Sequence, residues 1–183
     1  RVNIATRVPL LGVVNGSAAG ELEMEVARLL VEGFGTLKVK VGFDADQDAR
    51  RVRLIQNMVA GRCLLRLDAN QGYDRERGCA FAAALDPEGI ELFEQPCAAG
   101  DWDSAQAVAA VSPVPMMLDE SIYGIEDIER AARLGAARFI KLKLMKMGSL
   151  ESLANGIRRI RELGMEPVLG NGVACEVGCW MEA

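Results

Sequence analysis

The sequence contains no histidine. That excludes Ser-His-Asp and Cys-His catalysis, histidine-ligated zinc and the commonest general base. Any acid–base chemistry falls to Lys, Asp, Glu, Tyr or Cys. Aromatic residues make up only 5% of a chain that is 50% apolar, so the core must come from Leu, Val, Ile, Ala and Met. No apolar run approaches the ~20 residues of a membrane span. No long basic run occurs and the formal net charge is −5, which argues against nucleic acid or an anionic membrane surface as a partner. The opening stretch RVNIATRVPLLGVVNG lacks the charged head, long apolar centre and small-residue cleavage site of a signal peptide, and the expected location is cytoplasmic. Of the five cysteines none forms a CxxC pair. Cys175 and Cys179, four apart, have the spacing of a metal or redox pair on a helix, but reduced structural thiols are the stronger reading.

What is present is an alternation. Strand-like runs occupy residues 8–14, 36–41, 63–69, 90–95, 114–120, 138–144 and 166–171. Helix-like stretches lie between them, near 21–33, 45–60, 75–85, 101–110, 125–134 and 149–163, with another beginning near Glu176. Ile125, Ile128 and Ala132 show the helical spacing, as do Leu150, Leu153, Ile157 and Ile160. Gly135 and Gly164 stand where helices should stop.

Such β-α units imply a parallel sheet, because each crossover carries a helix. A doubly wound sheet would bring a phosphate-binding glycine fingerprint after its first strand, and NGSAAG is only a weak echo of it. The pattern instead predicts a TIM-type (β/α)-barrel, in which chemistry sits where the strands end. A full barrel has eight strands and this chain offers seven. The expectation is one barrel domain over residues 1–183, incomplete, as part of a longer protein.

Three successive strands end in acids: Asp68 with Asn70 two further on, Glu94, and Asp119 followed by Glu120. If their parity faces the barrel interior, the three carboxylates converge. Converging carboxylates repel unless a cation lies among them, and all-oxygen ligation suits a hard divalent ion, most simply Mg²⁺. Asn70 and Glu120 would support or extend the ligand set. The plainer alternative, helix capping or pairing with Arg66, suits any one acid better than three at matching positions.

Lysines answer them on both sides. Lys38 and Lys40 alternate with Leu37, Val39 and Val41, so both leave one face of the second strand. Lys141 and Lys143 do the same on the sixth, and Lys146 follows. In an eight-stranded barrel these strands lie opposite each other, with the acids between. The positive charge of Lys38 and of a metal would depress the pKa of Lys40 and make it a usable base. A carboxylate substrate would then lose its α-proton, with the metal offsetting the charge that develops.

The segments KVKVG (38–42), LDAN (67–70), FEQP (93–96), LDES (118–121) and KLMKMGS (143–149) together resemble the enolase superfamily, specifically its muconate-lactonizing-enzyme-like subgroup. That subgroup includes dipeptide epimerases, N-acylamino acid racemases and o-succinylbenzoate synthases. The resemblance implies Asp68, Glu94 and Asp119 as metal ligands and Lys40 as one acid/base. It implies Lys143 as the other, because the family's sixth-strand lysine lies five residues before a glycine, here Gly148. Lys38 assists, and Lys141 is a supporting residue. The family's N-terminal capping domain and last strand are absent from this chain. The seventh strand ends in GNG rather than an acid; Asn171 is either a substrate contact or part of a glycine-rich turn. The implied reaction is Mg²⁺-dependent α-proton abstraction through an enediolate. A racemase or epimerase of an amino-acid-type or proline-derived substrate comes first. A dehydratase, a cycloisomerase and a non-catalytic fragment are the alternatives, with a Schiff-base lyase further off. A homo-oligomer is expected.

Overall fold

The computed structural model describes residues 9–16 and 19–172. Seven strands alternate with helices: β1 (Gly12–Val14), α1 (Ala19–Val31), β2 (Thr36–Lys40), α2 (Ala45–Val59), β3 (Leu64–Asp68), α3 (Arg75–Ala83), β4 (Ile90–Glu94), α4 (Trp102–Val111), β5 (Met116–Leu118), α5 (Ile125–Leu134), β6 (Phe139–Leu142), α6 (Leu144–Met147), α7 (Leu150–Glu162) and β7 (Glu166–Leu169). All neighbouring strands pair in parallel, in the order β1-β2-β3-β4-β5-β6-β7. The sheet curls into an incomplete TIM-type barrel. Lysines of β2 and β6 both reach the end of β4, as curvature requires.

Strand parity divides the side chains. Leu37 and Val39 of β2, Leu65 and Leu67 of β3, Phe93 of β4, and Ile140 and Leu142 of β6 turn outward into two buried clusters beneath the helices. Residues of the other parity, Lys38, Lys40, Arg66, Asp68, Glu94 and Lys141, line the concave side. The helices start where acidic or hydroxyl side chains accept a backbone N–H of the first turn: Asp44 for α2, Asp74 for α3, Asp101 for α4 and Ser149 for α7. Gly135 closes α5 in the left-handed region, as its position in the sequence implied.

Several expected elements shrink. The first strand covers only Gly12–Val14 of 8–14; Val8 lies outside the described residues. Among the described residues it pairs only with β2, whose Leu37 stands opposite Gly12. The sixth strand ends at Leu142, where its ladder to β7 stops, and Lys143 becomes the extended N-cap of α6, a short helix that the sequence did not announce. The helix expected near Glu176, with Cys175 and Cys179, lies outside the described residues. No helix among the described residues is long and apolar enough to cross a membrane.

Candidate active site

The strand ends carry a row of charges. Asp68 closes β3, Glu94 closes β4, and Asp119 follows β5 by one residue; all three are buried. In register, Lys40 stands opposite Asp68 and Asp68 opposite Glu94. Glu94 lies at the centre: Lys38 Nζ approaches its Oε2 at 3.1 Å and Lys141 Nζ its Oε1 at 2.7 Å. Lys38 also binds Asp68 Oδ2 at 2.7 Å, and Lys141 reaches Asp119 Oδ2 at 3.5 Å. This inner pair of lysines bridges each gap in the row. An outer pair flanks it: Lys40 Nζ is 2.6 Å from Asp68 Oδ2 and Lys143 Nζ is 2.8 Å from Asp119 Oδ2. Lys40 is the most open of these side chains at 38% exposure, against 14% for Lys38 and 18% for Lys143. Arg66, the alternative partner for the acids, is occupied by Glu91 at 2.6 Å.

Burial disfavours every charge here, so the counter-charges decide the outcome. Burial works against the ionised Asp68 and Asp119, but Lys38 outweighs it at Asp68, and hydrogen bonds from Lys143 and Lys146 do so at Asp119. Both carboxyls are held below the usual range. Glu94 goes the other way: burial, reinforced by the charge of Asp68, raises it despite its two lysines. Burial likewise opposes the charge on Lys38, yet Glu94 and Asp68 together raise its pKa.

The carboxylates stand in a row at the strand ends, neighbours sharing one lysine Nζ each. Among the described residues no group of three acids forms a ready metal cage. Like charges need a cation between them, and in this arrangement Lys38 and Lys141 supply it pairwise. The donor chemistry nonetheless fits a hard divalent ion. The three acids are buried, adjacent and all-oxygen, the central one keeps a raised pKa, and Glu120 Oε2 is buried with no hydrogen-bond partner.

The remaining expected residues are also at this edge. Asn70, in the left-handed region at φ 42°, accepts a hydrogen bond from Lys40 Nζ on its side-chain oxygen and donates from Nδ2 to Glu120 Oε1 at 3.0 Å. Asn171 follows Gly170 on the exposed rim beyond β7. A Cβ added at Gly170 would meet the stem of Lys141.

Three further groups brace the strand ends: Lys146, which the sequence ranks behind Lys143, and Gln95 and Arg51, which it does not single out. Lys146, passed over for Lys143, has the least exposed side chain of the site lysines at 5%; it donates to Asp119 Oδ1 at 2.8 Å and to the Asp119 carbonyl at 2.6 Å. Its i+3 position after Lys143 was the available signal. Gln95 is buried and splints the ends of β4 and β5 with its whole carboxamide. It donates to Cys97 O and Ser121 Oγ, and accepts from the N–H groups of Asp119 and Ser121. Behind Lys40, Arg51 donates to the Lys40 carbonyl at 2.6 Å and to that of Gly16 at 2.8 Å. Gln95 and Lys146 lie near Glu94 and Lys143 in the chain, but their partners across the strand ends are set by the long-range fold.

Comparison with known proteins identifies relatives of the chain. A family model described as enolase C-terminal domain-like matches residues 21–181. The chain is 41% identical over 128 residues to an aromatic dipeptide epimerase of Herpetosiphon aurantiacus, covering 68% of this chain and 36% of that one. It is 32% identical over 152 residues to an L-Ala-D/L-Glu epimerase of Clostridium acetobutylicum, covering 82% and 40%. The crystal structure of a dipeptide epimerase from Cytophaga hutchinsonii, complexed with Mg and the dipeptide D-Ala-L-Val, superposes with a TM-score of 0.89 at 25% identity, covering 96% of this chain and 48% of that one. The chain thus spans less than half the length of each of these relatives.

Proposed function

The chain belongs to the enolase C-terminal domain-like family, and on that premise we propose that the whole protein is a racemase or epimerase that moves an α-proton of a carboxylate substrate between two lysines. One observation carries the reading: Lys40 and Lys143 stand at opposite ends of the row Asp68–Glu94–Asp119. A planar intermediate lying over that row would present one face to each lysine. The neutral amine of one takes the α-proton, and the C–H electron pair moves into the carboxylate to give an enediolate. The ammonium of the other returns a proton to the opposite face, inverting the centre. Lys38 and Lys141, fixed between the acids, contribute positive charge without a free direction for proton transfer.

Asp68, Glu94 and Asp119 are the residues that would hold Mg²⁺, with Glu120 and Asn70 in support. Bound there, the ion would supply positive charge to offset the negative charge that develops on the substrate carboxylate. Residues 1–183 would be one barrel domain of this enzyme. The names of the two epimerase relatives, more similar in sequence than the muconate cycloisomerase that also superposes, favour a dipeptide or amino-acid derivative over a hydroxyproline or a lactone.

The test uses the whole protein in D₂O with Mg²⁺ or EDTA and a panel of dipeptides, N-acylated amino acids and proline derivatives. Metal-dependent loss of the α-proton NMR signal with inversion is the expected result. Lys40→Ala should abolish exchange from one epimer and Lys143→Ala from the other. Exchange that is indifferent to both substitutions sinks the two-lysine scheme. Trapping of substrate by borohydride would indicate an imine instead, and loss of water a dehydratase.

A further inference from the structure

Lys40 and Lys143 are not held alike. Among the described residues Lys143 Nζ meets one carboxylate oxygen, Asp119 Oδ2. Lys40 Nζ meets two acceptors of different kinds, the carboxylate of Asp68 and the side-chain oxygen of Asn70. Asn70 is itself fixed at three points. Its left-handed backbone turns back on β3, its N–H donates to Asp68 Oδ1 at 3.0 Å, and its Nδ2 donates to Glu120 Oε1. The amide therefore cannot flip without losing both of its side-chain hydrogen bonds. Glu120, bound to Asn70 through one oxygen, joins the end of β5 to the end of β2 through this single bridge.

We propose that Asn70, held by Glu120, is the positioning residue of Lys40 and sets the direction along which it exchanges a proton. The argument is one of tetrahedral geometry. Besides its bond to Cε, a lysine nitrogen has three directions, filled by hydrogens or by a lone pair. With Asp68 and Asn70 accepting along two of them, one direction remains, and a proton leaves or arrives along it. Without Asn70 one N–H is unplaced and the amine rotates about Cε–Nζ. Lys143 has no bond to Asn70 or Glu120 and keeps its own anchor on Asp119. The bridge thus serves one of the two half-reactions. This rests on the proton-transfer reading above.

The decisive variant is Asn70→Gly, because glycine accepts the positive φ and the backbone N–H to Asp68 is retained. In the whole Mg²⁺-loaded protein, α-proton exchange in D₂O is measured from each epimer of whichever dipeptide the panel identifies. Exchange from the epimer silenced by Lys40→Ala should fall about 10- to 100-fold, the cost of a misdirected reacting group. At Mg²⁺ concentrations shown by titration to saturate each variant, exchange from the other epimer should fall about tenfold less, since its base is untouched. Glu120→Ala should give the same one-sided pattern in weaker form, and Glu120→Gln, which keeps an acceptor for Asn70, should restore most of it. Equal losses from both epimers would overturn the proposal. A second readout needs no substrate: ¹⁵N relaxation of lysine Nζ should show Lys40 gaining motion in Asn70→Gly while Lys143 does not. Unchanged relaxation at Lys40 overturns the proposal even if no panel member exchanges. A gain in motion without any exchange supports the positioning bridge and rejects the racemase reading alone.

Discussion

Asp48 offers the sharpest test of how the β2–α2 loop is held behind Lys40. Its side chain is 4% exposed, and its Oδ2 accepts four hydrogen bonds: from the N–H groups of Gly42, Phe43 and Asp44 at 3.0, 2.9 and 3.1 Å, and from the Tyr73 hydroxyl at 2.5 Å. Asp48→Ala strands all four donors. Each bond to a charged acceptor contributes about 1.5–3 kcal/mol, but the loop amides are only partly buried and recover water, so the expected loss is about 3–5 kcal/mol. Tyr73→Phe removes one of the four and should cost about 1.5 kcal/mol. The double variant should show a coupling of about 1–2 kcal/mol, since the Tyr73 hydroxyl loses its carboxylate acceptor once Asp48 is gone. Asp44, an exposed N-cap on the same loop, serves as the comparison: Asp44→Ala should cost only about 1 kcal/mol. Urea denaturation of the whole protein measures all four. If Asp48→Ala costs no more than Asp44→Ala, the reasoning from buried donors is wrong.

Three further outcomes follow from the same geometry. Lys146→Met releases Asp119 Oδ1, so Mg²⁺ affinity by calorimetry should fall about 10- to 100-fold; an unchanged affinity would mean that Lys146 does not orient that carboxylate. Gly170→Ala puts a methyl where the Lys141 stem lies. It should reduce exchange from both epimers, with the metal site retained, and full activity would show that Lys141 has another route to Glu94. Burial, reinforced by the charge of Asp101, pushes the Cys97 thiol up to about 11 from 9.0. The folded state keeps this proton where the unfolded chain loses it. Stability is therefore unaffected below the unfolded value and declines as pH rises from there to the folded one, by up to about 2 kcal/mol. Cys97→Ala should lack that part of the alkaline decline; identical pH profiles would refute the assignment.

The order of elements, the parallel sheet and the acids at three consecutive strand ends were legible in the sequence because they are local. Period-two alternation places Lys38 with Lys40 and Lys141 with Lys143, and helical spacing and glycine stops mark the crossovers. The segments from KVKVG to KLMKMGS pointed to the family that the comparisons bear out. Where local period and tertiary pairing conflicted, the sequence misled. The alternation KLKL continues through Lys143, yet β6 stops at Leu142 because its ladder to β7 stops there.

Which lysine meets which carboxylate was decided by the tertiary structure alone. Lys38 and Glu94 are 56 residues apart, and Lys141 and Glu94 are 47 apart. Sheet curvature brings both lysines to opposite oxygens of one carboxylate, and no spacing rule encodes a curvature. The pairwise bridging of the acids, the burial of Lys146, the splint of Gln95 and the fork that holds Lys40 have the same origin. Charges removed from water must find partners within a few ångströms, and the partners available are those the closed fold presents.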